Sequence, residues 1–244
     1  MTNTDKLYKL QDEILLNLSD FVSGGNRFPF FLTGGTALVR FHLRSSYRIS
    51  YDLDFFSTES ISEKDIEPIV TFLSRKFEIG LIAKNNKDGI FIYEIKGKNV
   101  QIKVDFVNDP FLQIFEPQKL EGTKLLIDSI QAIYFRKVYA LIDLYISERP
   151  IDRVKDILDL MELSKRYMPL PDFIREFVEV WRQNFESRIE AGLVAGALRE
   201  IFNLLPYHKE KIEVLLSEIY YSNVGYAEIE KWVSEQVRLL RSTM

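Results

Sequence analysis

One stretch, residues 30–56, constrains this chain more than any other: FFLTGGTALVRFHLRSSYRISYDLDFF. An apolar run leads into Gly34-Gly35-Thr36, a segment of helical character follows, and a basic approach ends at Asp52 and Asp54, which only Leu53 separates. A strand that meets two glycines can turn sharply and bring its backbone close to a ligand, because neither glycine has a Cβ to clash or to bar positive φ. A helix starting at Thr36 or Ala37 presents free N–H groups and the positive end of its dipole, a pocket suited to phosphate oxygens. If residues 51–56 form a strand, Asp52 and Asp54 leave the same face of the sheet. Close carboxylates repel unless a cation lies between them. Mg²⁺ suits that place, since it takes hard oxygen ligands and is commonly shared between carboxylates and substrate phosphates.

The rest of the chain narrows the chemistry. It has 244 residues, 46% hydrophobic and 28% charged, enough for a sizeable core and unlike a disordered polymer. With no cysteine and only His42 and His208, thiolate catalysis, disulfides and histidine-rich zinc sites are excluded. No apolar run approaches the ~18 residues of a membrane span, and the start of the chain lacks the order of a signal peptide, so a soluble cytoplasmic protein with no membrane partner is expected. The net charge of −4 gives no global reason to bind nucleic acid, although Arg40, Arg44 and Arg48 form a local basic patch.

In chain order, residues 4–22 carry apolar positions at helical spacing, residues 28–32 and 50–56 read as strands, and 36–43 as a short helix. Ser62 is the expected N-cap of a helix over 60–77. Three strand-like runs, 78–84, 89–96 and 100–107, are separated by turn-forming tracts. A mixed or antiparallel sheet with packed helices is the economical arrangement. In the last of these runs the alternation sends Ile102, Val104 and Phe106 one way and Lys103 and Asp105 the other. If this strand neighbours residues 51–56, Asp105 comes beside Asp52 and Asp54. Three carboxylates would then hold two Mg²⁺ ions for in-line phosphoryl displacement, one ion activating an attacking hydroxyl and the other binding a nucleoside triphosphate.

The residues Gly34, Gly35, Thr36, Ala37 and Leu38, then His42 and Leu43, then Arg48, Ser50, Asp52, Leu53, Asp54, Phe55 and Phe56 resemble the motif of the AbiEii/AbiGii toxin nucleotidyltransferases, within the DNA polymerase β-like superfamily. The resemblance reaches to about residue 165. It takes in the helix of Lys137, Ala140 and Leu141 and the run Arg153, Lys155, Asp156, Asp159 and Leu160. It implies an α+β fold: a polymerase β-like mixed sheet with flanking helices as catalytic core over 1–110, and a helical region over 111–244 that completes the nucleotide and acceptor site. Pro110 and Pro117 mark the crossing. The implied catalytic residues are Asp52, Asp54, Asp105, Lys137 and Asp156, with Asp52, Asp54 and Asp105 as metal ligands. Gly34, Gly35, Thr36, Arg48, Ser50, Lys137 and Arg153 would bind the nucleotide. The implied activity is Mg²⁺-dependent (or Mn²⁺-dependent) transfer of NMP from an NTP to a hydroxyl of tRNA or protein, by a type IV toxin or abortive-infection component with a cognate antitoxin. A nucleotide sensor and a non-catalytic antitoxin-binding module are the alternatives. His42 reads as a packed helix residue, His208 as surface, and residues 169–244 as amphipathic helices without a catalytic constellation.

Overall fold

A computed structural model of the protein describes residues 2–109, 114–146, 153–185 and 189–241; Pro110 and the 149–152 stretch lie outside them. The chain divides into two compact units. The first comprises Met1–Arg44 with Ser50–Ile130, and the second Ser45–Ile49 with Gln131–Met244.

The first unit is built on a mixed sheet. Helix α1 (Asn3–Ser23) opens on a capping box, in which Thr2 and Asp5 bond each other's backbone N–H groups. Strand β1 (Phe31–Thr33) starts only after Pro29, which has no N–H to give a ladder. A single helical turn, α2 (Gly34–Thr36), runs into a wider π turn over Ala37–His42. Next come β2 (Leu53–Ser57), α3 (Glu63–Leu73), β3 (Glu78–Asn85), β4 (Ile90–Lys96), β5 (Gln101–Asn108), β6 (Gln118–Lys119) and β7 (Leu126–Ile127). The strand order is β3-β4-β5-β2-β1-β7-β6, and the β2–β5 and β1–β7 pairs are parallel while the others are antiparallel.

The side chains of Leu53, Phe55, Ile102, Val104 and Phe106 are all buried, together with Leu7, Ile14 and Leu18 of α1 and Ile66 and Ile69 of α3. Each buried side chain of this size contributes about 1.5–3 kcal/mol, so the apolar stripe of each helix is what holds it to the sheet. Phe55 and Phe106 stack at 5.5 Å across the β2–β5 pair, and Phe30 meets Phe106 edge-on at 5.0 Å. Ser62 caps α3 as expected, its N–H and hydroxyl both donating to Asp65 at 2.9 and 2.8 Å.

Two differences from the sequence reading have local causes. Strand β2 begins at Leu53 rather than near 50, because side chains claim the preceding carbonyls: Gln11 Nε2 donates to Ser50 O at 2.9 Å and the Thr36 hydroxyl donates to Asp52 O. The sheet unit extends to Ile130, beyond the expected crossing near 110, because β7 pairs with β1.

The second unit is helical: α4 (Ile130–Ile146), α5 (Val154–Arg166), α6 (Leu170–Asn184), α7 (Ala191–Leu204), α8 (Lys209–Val214) and α9 (Tyr226–Arg241). A run of aromatic contacts ties α4 to α6, with Tyr134 stacked on Phe173 at 3.7 Å and Phe135 on Phe177 at 4.4 Å. The Ser45–Ile49 segment belongs here because the 220–223 turn grips it. Ile49 N–H donates to Tyr220 O at 3.3 Å, Ser222 Oγ to Tyr47 O at 3.0 Å, and Asn223 Nδ2 to Ser46 O at 2.7 Å. Among the described residues no helix is long and apolar enough to cross a membrane.

Candidate active site

An acidic cluster of the expected residues lies on the sheet. In the parallel β2–β5 ladder Asp54 is the register partner of Asp105, and their strand neighbours Leu53, Phe55, Val104 and Phe106 are buried on the opposite face. The two carboxylates therefore leave one face side by side, both half-buried. Asp52 precedes the strand, also half-buried, its carbonyl fixed by Thr36. Among the described residues no three His, Asp or Glu side chains close on a common point as a preformed metal cage. A cation is nevertheless present: Lys103 Nζ lies 2.8 Å from Asp105 Oδ2. Burial alone would push this ammonium's pKa down, but its bond to Asp105 and the charges of Asp52, Asp105 and Asp54 outweigh that and hold it up. The three carboxylates thus share a field that stabilises positive charge, and they are the hard oxygen donors Mg²⁺ prefers.

The glycine turn is shaped to this cluster. Gly34 has φ +68°, and a Cβ there would collide with the Asp54 carboxylate. A side chain at that position is thus barred both by conformation and by the carboxylate it would strike. Gly35 and Thr36 are buried. The Thr36 hydroxyl lies 3.0 Å from Ser50 Oγ, and Gln11 ties into the same group, so Thr36 and Ser50 fix the segment leading to Asp52 from within the core. His42 Nε2 donates to Asp128 O at 2.7 Å, a packed helix residue as its sequence context suggests.

A second cluster of the expected residues lies within the helical unit and is a buried ion network. Arg48 grips Asp159 with two hydrogen bonds, Nε at 2.7 Å and Nη2 at 2.8 Å, and the Tyr47 hydroxyl adds a third at 2.6 Å. Lys137 bridges Asp156 at 2.5 Å and Asp159 at 2.8 Å, while Arg153 Nη1 donates to Asp156 at 3.1 Å. Burial by itself would raise the pKa of Asp159; Arg48 and then Lys137 overcome this and hold it well below the usual carboxylate range. Asp156 is likewise lowered, against its burial, chiefly by Lys137. Lys137 and Arg48 stay protonated although buried, because Asp156 and Asp159 more than offset the loss of water. Lys137, Asp156, Arg153 and Arg48 are brought together here, and Thr36, Ser50, Gly34, Asp52, Asp54 and Asp105 in the sheet unit.

Sequence reasoning gave no role to Asp159 or Tyr47. Asp159 carried a signal, since it lies at i+3 from Asp156 and so on the same helical face. Tyr47 had none, because its partner is remote in sequence.

The mixed sheet with flanking helices, followed by a helical unit, is the fold of nucleotidyltransferases. The crystal structure of JHP933 from Helicobacter pylori matches at TM-score 0.62 and 19% identity, over 99% of this chain and 93% of that one. A putative nucleotidyltransferase from H. pylori matches at 0.63 and 17%, over 100% and 99%. MenT4, a nucleotidyltransferase toxin from Mycobacterium tuberculosis, matches at 0.59 and 17%, over 98% and 84%. No curated protein matches the chain. The family model "Nucleotidyl transferase AbiEii toxin, Type IV TA system" matches residues 18–221, and the chain belongs to this family. It is a nucleotidyltransferase, whose substrates include a nucleoside triphosphate.

Proposed function

We propose that the protein is a Mg²⁺-dependent toxin that transfers an NMP from an NTP to a hydroxyl of tRNA or protein, with pyrophosphate leaving, and that a cognate antitoxin restrains it in the cytoplasm. The observation that carries this reading is the Asp54–Asp105 register pair beside the Gly34 turn. Asp52, Asp54 and Asp105 hold the divalent cations, with Mn²⁺ able to replace Mg²⁺. An ion held by these carboxylates would supply charge neutralisation for the triphosphate and would acidify an acceptor hydroxyl. The backbone of Gly34, Gly35 and Thr36 faces the β and γ phosphates, while the Thr36 and Ser50 side chains keep that backbone in shape. Asp105 takes part in removing the acceptor proton. Lys137, steadied by Asp156 and Asp159, is the nucleotide-binding lysine of the helical unit; Arg48 and Arg153 fix those carboxylates in turn.

The test is transfer of label from α-³²P-labelled NTPs to cell RNA or protein in the presence of Mg²⁺. Asp52→Ala with Asp54→Ala should reduce labelling to background. Labelling that persists undiminished in the double variant would sink the assignment.

A further inference from the structure

Lys103 has a choice of carboxylates. Its register partner across the β4–β5 ladder is Glu94, yet the ion pair it makes, at 2.8 Å, runs along its own strand to Asp105. Residues i and i+2 of a strand share a face, so the ammonium is delivered to the face where Asp54 stands in register with Asp105. Asp52 acts on the same ammonium. The acidic cluster therefore carries its own cation. Lys103 is 39% exposed and Asp105 only 14%, so the amine reaches inward from solvent and its stem has room to withdraw. A lysine suits this, being a compact charge on a flexible stem rather than a planar fork locked to its partner.

We propose that Lys103 is a built-in counter-ion of the metal site, a positioning residue that holds the three carboxylates together without metal and must be displaced when a divalent cation enters. This rests on the metal reading of Asp52, Asp54 and Asp105. Its consequence is that metal alone binds weakly, because each binding event must expel an ammonium. Metal arriving with a triphosphate binds well, because the phosphates offer the expelled ammonium a new anion. Lys103 thereby couples metal binding to nucleotide binding and keeps the idle protein from capturing stray divalent ions.

The experiment is Mn²⁺ titration of the full chain without nucleotide, followed by electron paramagnetic resonance of free Mn²⁺. Lys103→Met should bind Mn²⁺ roughly tenfold more tightly than the wild type, since one like charge has left the site. Lys103→Arg, which keeps the charge, should stay near the wild-type value. The metal-free Lys103→Met protein should also melt earlier at low ionic strength and recover when Mn²⁺ is added. On the unaltered chain, Mg²⁺ at a concentration that fills the site should speed acetylation of the Lys103 amine, read by mass spectrometry; an unchanged rate at that saturation overturns the proposal independently of any variant's folding. Equal or weaker Mn²⁺ binding by Lys103→Met, with the wild type still binding, overturns the counter-ion role and leaves the metal site standing. If neither protein binds Mn²⁺ and Asp54→Asn changes nothing, both the inference and the metal reading fall.

Discussion

Lys103 with Asp105 and Lys137 with Asp156 are the same chemical pair in two surroundings. On the sheet the lysine is 39% exposed and faces more negative charge than it can neutralise. In the helical unit Lys137 and Asp156 are 10% and 2% exposed, and Arg48, Arg153 and Asp159 complete a network of alternating charges. A half-solvated pair in excess negative charge is easily exchanged for another cation. A buried, balanced network is costly to break, because removing one partner strands the other without water. On the proposed reading the sheet cluster receives a ligand, whereas the helical network keeps a lysine charged in a fixed place.

That difference predicts opposite outcomes for similar substitutions. Asp54→Asn on the sheet should cost about 4 kcal/mol of transition-state stabilisation, a loss of a thousandfold or more in nucleotidyl transfer. The melting temperature should hold or rise, since one of three repelling carboxylates has been neutralised. Turnover and thermal unfolding of the same preparation check both. A variant that unfolds in step with its loss of activity would erase the distinction between the two clusters.

In the helical unit the balance reverses. Asp159→Asn leaves Arg48 and Lys137 buried with too little negative charge, and removal of one partner of a buried pair costs about 3–5 kcal/mol. Denaturant unfolding should show that loss, and replacing Arg48 and Asp159 together with apolar residues should restore part of it. Acid gives a second view. The folded pKa of Asp159 lies below its unfolded value, so its stabilisation is complete above pH of about 4 and is lost as pH falls further and the carboxylate takes a proton. The helical unit of the wild type should therefore lose stability below that pH, and Asp159→Asn should flatten the slope.

How far the sequence spoke follows the range of its signals. The alternation Ile102-Lys103-Val104-Asp105-Phe106 placed Asp105 on the correct face because a strand's period is local. Its pairing with Asp54 was legible only as a requirement of the chemistry, since nothing in either strand states which neighbour it takes. Gly34 was legible as a turn, while its contact with the Asp54 carboxylate is a property of the assembled ladder. The Ser45–Ile49 segment was not legible at all. It lies between two elements of the sheet unit in sequence, and its partners, Asp159 and the 220–223 turn, are more than a hundred residues away. The short strands β6 and β7 were missed because two residues carry no period. Arg48 and Ser50 are adjacent to Asp52 in the motif, yet one is buried in the helical unit and the other in the sheet unit. Motif proximity and shared surroundings are separate properties.

The smallest expected effect separates chemistry from packing within the sheet unit itself. His42 belongs to the same motif as the aspartates, but its Nε2 is committed to the Asp128 carbonyl. Burial lowers its pKa, and the Asp128 carbonyl bond and charge only partly compensate, so the ring is neutral near pH 7. A histidine held neutral stabilises the fold fully above its unfolded pKa of about 6.5, and that contribution fades as pH drops below it, because the unfolded chain takes the proton more readily. His42→Ala should therefore cost about 1 kcal/mol at neutral pH for the lost hydrogen bond and should weaken the dependence of stability on pH below about 6.5. Nucleotidyl transfer per folded molecule should change by no more than about threefold, or roughly 0.65 kcal/mol of barrier. A loss comparable to that of Asp54→Asn, with the fold intact, would move His42 from the packing of the turn into the reaction and would make the motif a single catalytic unit rather than a catalytic pair mounted on a structural one.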